Sequence, residues 1–388
     1  MKPKKVILGM SGGVDSSVAA LLLQKQGYEV IGFFMNASPS GKPPWPSTIK
    51  WQDEESILRK ICKKLNIKLI VKDCEHGYEE NVIKPMFKDY EKGLTPNPDI
   101  LCNNVGKFPS LLKIAKQENA QFIATGHYAR IKKTKNGFAL FRGKDKEKDQ
   151  SYFLLGLNQK TLSKTLFPIG NLNKTQVREI AQKNNFPNFD KRSSRGICYL
   201  GKIDMKAFLK QRIKEKPGKI LSPENEIIGT HPGTMFFTIG ERVRENKQLI
   251  LNQEFRKSFS QKKFYIASKT KNNELIIAPE HHPLLKTKSV VIKNLVLVNG
   301  KDFPKSGLKA RIRHLGKLIP GNLKIMWREA NKVSQKIKTR AFEIARPIGA
   351  AQNWYFIFNQ GQEGVAEGQS IVLYKGEKMI GGGEIRIK

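Results

Sequence analysis

The sequence is short of acid. Across 388 residues, 34 Asp and Glu stand against 70 Lys and Arg, a formal charge of +36. Such an excess draws polyanions and speeds their association. A Lys-rich genome leaves the same imprint, so charge favours nucleic acid without settling it. Long apolar runs are missing too. The longest, Val18 to Leu23, is far below the roughly 18 residues of a membrane span. No secretory h-region with a small-residue cleavage site follows Met1, so the expected location is cytoplasmic, with no membrane partner. Cysteine is scarce: Cys62, Cys74, Cys102 and Cys198. They form no CxxC pair and no Cys/His cluster with zinc spacing, and they are too few for a disulfide framework.

What is present is ordinary for a globular chain, with 39% hydrophobic and 27% charged residues. The length suits two or three domains of about 150 residues. Residues 4 to 200 alternate strand and helix. Strands are expected at Val6–Met10, Glu29–Met35, Ile67–Val71 and Phe122–Thr125. Helices are expected at Ser16–Gln26, Asp53–Asn66, Asn81–Lys92 and Phe108–Gln117. That order implies a doubly wound parallel α/β sheet. From Met205 the pattern changes. A basic helix over Met205–Lys216 precedes a Pro217-Gly218 turn, and short strands dominate to about Leu275. Strands at Ser289–Val298, Leu323–Trp327, Trp354–Phe358 and Ser370–Tyr374 fit a small barrel or sandwich. The expected domains are 1–204, 205–275 and 276–388. Residues 37–50, rich in Pro, Ser and Gly, read as a surface loop.

The sharpest motif is Ser11-Gly12-Gly13-Val14-Asp15-Ser16-Ser17, between the first strand and the first helix. Cradling a phosphate needs inward N–H groups and no side chain in the way, which Gly12 and Gly13 allow. Ser16 and Ser17 add hydroxyls at a helix N-terminus, where anions are favoured. There is no Lys, so this is not a Walker A loop.

Two further loops carry cysteine. In Thr95-Pro96-Asn97-Pro98-Asp99-Ile100-Leu101-Cys102-Asn103, two prolines fix a turn that brings Asp99 near Cys102. In Ser194-Arg195-Gly196-Ile197-Cys198-Tyr199-Leu200-Gly201, glycines bracket the cysteine and suggest an exposed loop. A buried inert thiol suits Cys62 and Cys74 better than Cys102 or Cys198.

SGGVDS after a strand resembles the PP-loop of ATP pyrophosphatases. With TPNPDILCN, ATGHYAR, KDQSYFL, LFPIG, a GIC loop and a late EGQSIVLY in that order, the chain resembles the bacterial tRNA-specific 2-thiouridylase family. The resemblance runs from about residue 5 to 240 and resumes more weakly from about 264. It implies an N-terminal adenine nucleotide alpha hydrolase-like sheet, a small central α+β domain that binds tRNA and a C-terminal β-barrel. It implies 2-thiolation of a tRNA wobble uridine, with ATP and Mg²⁺ as cofactors. Cys198 would carry a persulfide, Cys102 would be the second catalytic cysteine, and the pair would form a transient disulfide. Asp99 would be the acid/base.

By the same resemblance, Gly9, Met10, Ser11, Gly12, Gly13, Val14, Asp15, Ser16, Met35 and Gly126 would bind ATP, with Asp15 toward Mg²⁺. Asn97, Pro98, Asp99, His127, Lys148, Asp149, Gln150, Arg313, His314 and Gln369 would meet the tRNA. A cysteine desulfurase or sulfur-carrier protein would supply the sulfur. The chain departs from the family pattern at Ser193, Arg195, Gly106 and Glu241, and residues 243–262 are unusually polar.

Overall fold

In a computed structural model of the chain, residues 3–38, 47, 49–191, 196–244, 249–259, 262–299, 304, 306–328 and 351–387 are described. The first sheet is wholly parallel. Its strands lie in the order Lys68–Asp73, Glu29–Asn36, Lys5–Met10, Phe122–Thr125, Thr165–Leu166. Successive side chains of a strand point to opposite faces. Val6, Leu8 and Met10 therefore enter one core with Val18 and Leu23, while Ile7 enters another with Ile31, Phe33 and Leu111. Burial on both faces is why the first strand reads as a continuous apolar run. Each such aliphatic side chain contributes about 1.5–3 kcal/mol.

The chain lays strands on one side of Lys5–Met10, then crosses to the other side with Phe122–Thr125. The carboxyl ends of these two strands form a topological switch point, where open α/β sheets bind ligands. The helix Phe108–Gln117 and the strand Phe122–Thr125 stand where the sequence puts them. The expected helix over Asn81–Lys92 is broken into a π-helical Glu79–Ile83 and an α-helical Lys84–Glu91. The helix expected over Met205–Lys216 ends at Lys210. Asp204 caps its start, but Gln211 N–H and Arg212 N–H bond to Phe208 and Leu209 carbonyls three residues back, which tightens the chain out of the helix.

The central sheet has the order Ile250–Leu251, Ile227–His231, Gly218–Leu221, Leu275–Pro279, Phe264–Lys269. Leu275–Pro279 is thus a central strand, and this unit runs past the expected limit at 275. Part of the polar 243–262 stretch is ordered here as Ile250–Leu251 and the helix Gln253–Phe259. Most of 37–50 lies outside the described residues, although Ala37 and Ser38 at its start are buried.

The last sheet runs Thr287–Leu297, Ala351–Gln362, Ile319–Arg328, Leu308–Arg311, Ser370–Lys375, Lys378–Arg386, and the final strand pairs back with the first to close a barrel. A hairpin from the N-terminal half, Ala129–Thr134 and Gly137–Arg142, joins this barrel through Lys378 and Phe141. The barrel also buttresses the first cysteine loop. Thr95 N–H donates to the Glu367 carbonyl at 2.7 Å, and Tyr152 hydroxyl donates to the Ser370 carbonyl at 2.8 Å. No helix among the described residues is long and apolar enough to cross a membrane.

Candidate active site: a phosphate loop and a cysteine pair

After Met10 the chain turns at Gly12, with φ +73°, and enters the helix Val14–Lys25. Gly13 is the N-cap and supplies no side-chain cap, so the first N–H groups of the helix are open to an anion. The loop is braced from within. Ser16 and Ser17 hydroxyls donate to the Gly13 carbonyl at 3.0 and 3.1 Å, and Asn188 Nδ2 donates to the Gly12 carbonyl at 2.9 Å. Gly126 closes it from the next strand. A Cβ there would stand 2.9 Å from Ser16 N, so only glycine fits the approach. Gly9 has ordinary space. Met10, Val14 and Met35 bury their side chains in the cores, so a nucleotide can meet them only through main chain.

Asp15 Oδ1 accepts from Lys174 Nζ at 2.6 Å and from Tyr128 hydroxyl at 2.7 Å, with its side chain 30% exposed. Mg²⁺ commonly takes one or two carboxylates plus substrate phosphates. A carboxylate beside a phosphate loop fits that mode. Among the described residues no group of three or more His, Cys, Asp or Glu could hold a metal. A second carboxylate, Glu54, leans on Gly12 and is held by Lys191 at 2.5 and 2.6 Å.

The cysteine pair is assembled by capping. Asn97 is an N-cap whose side chain accepts from Ile100 N–H at 3.2 Å, and Pro98 occupies the first helical turn of Pro98–Leu101. Cys102 follows at the start of a π-helical turn, Cys102–Lys107. Its sulfur lies 3.8 Å from that of Cys198, and both thiols are free. Asp99 Oδ1 accepts the Cys198 N–H at 2.8 Å and fixes the second loop over the first. That loop is held tight by glycine. At Gly196, φ is +114° and a Cβ would collide with the Gly201 carbonyl. Tyr199, at φ +65°, stacks on Trp51 at 5.4 Å and leans on Tyr78 at 4.9 Å. The Tyr78 hydroxyl donates to the Cys198 carbonyl. The helix Trp51–Leu65 thus reaches both halves of the site, with Trp51 on the cysteine loop and Glu54 on the phosphate loop.

The two sulfurs are not equivalent. A hydrogen bond from Cys102 lowers the Cys198 pKa against the cost of burial, and Lys107 lowers it further. Cys102, as the donor and buried, is pushed well above the ordinary thiol range. Burial raises the Asp99 carboxyl, against the Cys198 N–H and the Lys107 charge, which lower it. Cys62 and Cys74 are pushed up to about 11 by burial, as inert thiols should be.

Several residues expected at the tRNA are buried or bonded within the protein. Asp149 is wholly buried and cannot meet a polyanion. Its carboxylate takes Arg142 at 2.9 Å, Arg311 at 2.8 Å and the N–H groups of Gly143 and Ser151. Burial alone would raise Asp149, but these four donors hold it low. Gln150 accepts from Tyr128 N–H at 3.1 Å, and the half-buried Lys148 has its N–H on Asp145. His127 is buried, bonded to Thr125 at 2.6 Å and stacked on Phe108, and burial keeps it neutral. His314 packs on Phe153 at 4.1 Å, and burial brings its pKa down to about 4. Arg313 is exposed and lines a cavity of about 200 Å³ with Gly240 and Glu363, between central unit and barrel. Asn97, Asp99 and Gln369 are half-buried near the cysteine loops, and Pro98 is buried. Ser193 and Arg195 lie outside the described residues.

The sequence did not single out Lys107, Lys174, Asn188, Glu54 or Tyr78. Each acts across 50 or more residues or from inside a helix, where a charge reads as solvated surface. No local pattern marks them.

A parallel sheet with a phosphate loop at its switch point and a reduced cysteine pair defines a nucleotide-binding enzyme domain joined to a barrel. Residues 4–202 match a family model described as a tRNA methyl transferase HUP domain, and 206–279 match a tRNA methyl transferase PRC-barrel domain. Residues 348–385 match an aminomethyltransferase beta-barrel domain. The tRNA-specific 2-thiouridylase MnmA 2 of Aliarcobacter butzleri is 37% identical over 99% of this chain and 98% of its own length. MnmA of Burkholderia cenocepacia is 38% identical over 99% and 94%, and MnmA 1 of Geobacillus kaustophilus 37% over 98% and 95%. This chain belongs to the tRNA-specific 2-thiouridylase family.

Proposed function

We propose that the protein uses ATP to replace the C2 oxygen of a tRNA wobble uridine by sulfur. The single observation that carries this reading is the Cys102–Cys198 pair, 3.8 Å apart across 96 residues of sequence and fixed by Asp99. The family membership and the charge of +36 support tRNA as the substrate. The uridine must leave its stack before C2 can be reached. Its O2 then attacks the α-phosphorus of ATP, and pyrophosphate leaves against the open helix N-terminus at Gly13–Ser16. Mg²⁺, when bound, would neutralise pyrophosphate charge, and Asp15 would hold it.

Sulfur arrives as a persulfide on Cys198, the sulfur of lower pKa and the one nearer solvent. A cysteine desulfurase or sulfur carrier would supply it. The terminal sulfur attacks C2, the C2–O bond breaks and AMP leaves. Asp99 assists as the acid/base through Oδ2, since Oδ1 is engaged by Cys198 N–H. The Cys102 thiolate next attacks Cys198 Sγ. The S–S bond to the nucleoside breaks, its electrons make the C2 thiocarbonyl, and a Cys102–Cys198 disulfide remains. A thiol reductant supplies the two electrons that reset the pair.

Peptide mass spectrometry of protein quenched after one turnover with tRNA, ATP and a persulfide donor tests this. A Cys102–Cys198 disulfide that forms only when tRNA and ATP are both present is the expected result. A disulfide formed equally without tRNA, or none at all, contradicts it.

A further inference from the structure

The π-helical turn that carries Cys102 ends on a lysine. Bonds from residue i to i+5 set Cys102 and Lys107 about one turn apart along the same flank. The residues between them leave that flank bare. Asn103 and Asn104 turn away and donate to the carbonyls of Phe153 and Leu155, each at 2.9 Å. Val105 is 43% exposed, and Gly106 has no side chain where a Cβ would stand 4.0 Å from the Cys102 sulfur. Lys107 itself is half-buried.

We propose that Lys107 is the positioning cation of the cysteine pair: its ammonium serves both sulfurs as counter-ion and holds whichever of them is the anion. The role rests on the sulfur-transfer reading above. The surroundings otherwise oppose a thiolate. Asp99 from the helix Pro98–Leu101 adds negative charge beside both sulfurs, Tyr78 and Tyr199 close the pocket with aromatic surface, and Cys74 stands behind Tyr199. His127 is neutral and supplies no charge. Among the described groups that act on Cys198, Lys107 is the cation. Burial works against its own charge, but Cys198, Cys102 and Asp99 together keep it protonated. An ammonium is a compact point charge with rotatable donors, so it can follow the negative charge from Cys198 to Cys102 as the disulfide step proceeds.

The test is pH-resolved alkylation of the reduced full chain by iodoacetamide, read at the Cys198 peptide by mass spectrometry. Lys107→Met should move the midpoint of Cys198 reactivity upward and cut the rate at pH 7 about tenfold. Lys107→Arg, which keeps the charge, should restore most of it. An unchanged midpoint, or a rate lowered by one factor at every pH, would overturn the proposal. If circular dichroism shows Lys107→Met unfolded, Lys107→Gln makes the same comparison. Neither ATP nor tRNA takes part. A midpoint that shifts in a protein making no thiouridine would sink the functional reading and not Lys107; thiolation with an unmoved midpoint would do the reverse.

Discussion

Replacing Asp149 separates a structural carboxylate from an RNA contact. Asp149 is fully buried and binds Arg142 and Arg311, the latter 3% exposed and on the barrel. Asp149→Asn keeps the shape and removes the charge, which leaves Arg311 buried without compensation. Breaking a buried pair from one side costs about 3–5 kcal/mol. Because Asp149 belongs to the N-terminal half and Arg311 to the barrel, the loss should fall on their junction. Urea unfolding followed by circular dichroism and by Trp fluorescence should show a lower midpoint. The pH dependence has a definite sign. The carboxyl is held below its ordinary value in the fold, so its stabilisation is present above about pH 3.9 and fades as pH falls through the lower folded value. The gap between wild type and Asp149→Asn should be full at pH 7 and close in strong acid. A cost below about 1 kcal/mol at pH 7, with weakened tRNA binding, would refute the reasoning and return Asp149 to the RNA surface.

Three other expectations follow from the same geometry. Gly126→Ala forces main chain against Ser16 and Asp15, so ATP turnover should fall about a hundredfold while far-ultraviolet dichroism stays native. Gly106→Ala meets nothing nearer than Cys102 at 4.0 Å and has no positive φ, so urea unfolding should show a gain of about 0.5–1 kcal/mol. Lys191→Met leaves Glu54 uncompensated beside Gly12, and isothermal titration should show ATP affinity reduced about tenfold, with part of the loss recovered in Lys191→Met, Glu54→Gln.

The parallel sheet was legible because a strand buried on both faces is a continuous apolar run, as Val6–Met10 is. The phosphate loop was legible because glycine fixes local backbone. The turn expected around Pro96 and Pro98 is instead a short helix that Asn97 caps and that delivers Cys102, and the loop expected to be exposed holds Cys198 half-buried. The hairpin Ala129–Arg142 was not legible as part of the barrel, since its partner strand lies more than 200 residues on and no local periodicity encodes that pairing. The burial of Asp149 was hidden for a related reason. A charged residue in a polar stretch reads as surface until Arg311 arrives from the other end of the chain. Lys107 was hidden by the π-helical register, which an α-helical reading of Cys102–Phe108 would have turned away from the sulfur.

The central claim is that Cys198 delivers sulfur to tRNA. The most direct measurement is nucleoside mass spectrometry of unmodified tRNA incubated with the protein, ATP, Mg²⁺, a cysteine desulfurase and cysteine, beside Cys198→Ser. The account predicts 2-thiouridine from the wild type and none from the variant. Equal 2-thiouridine from both, or none from either, would contradict it.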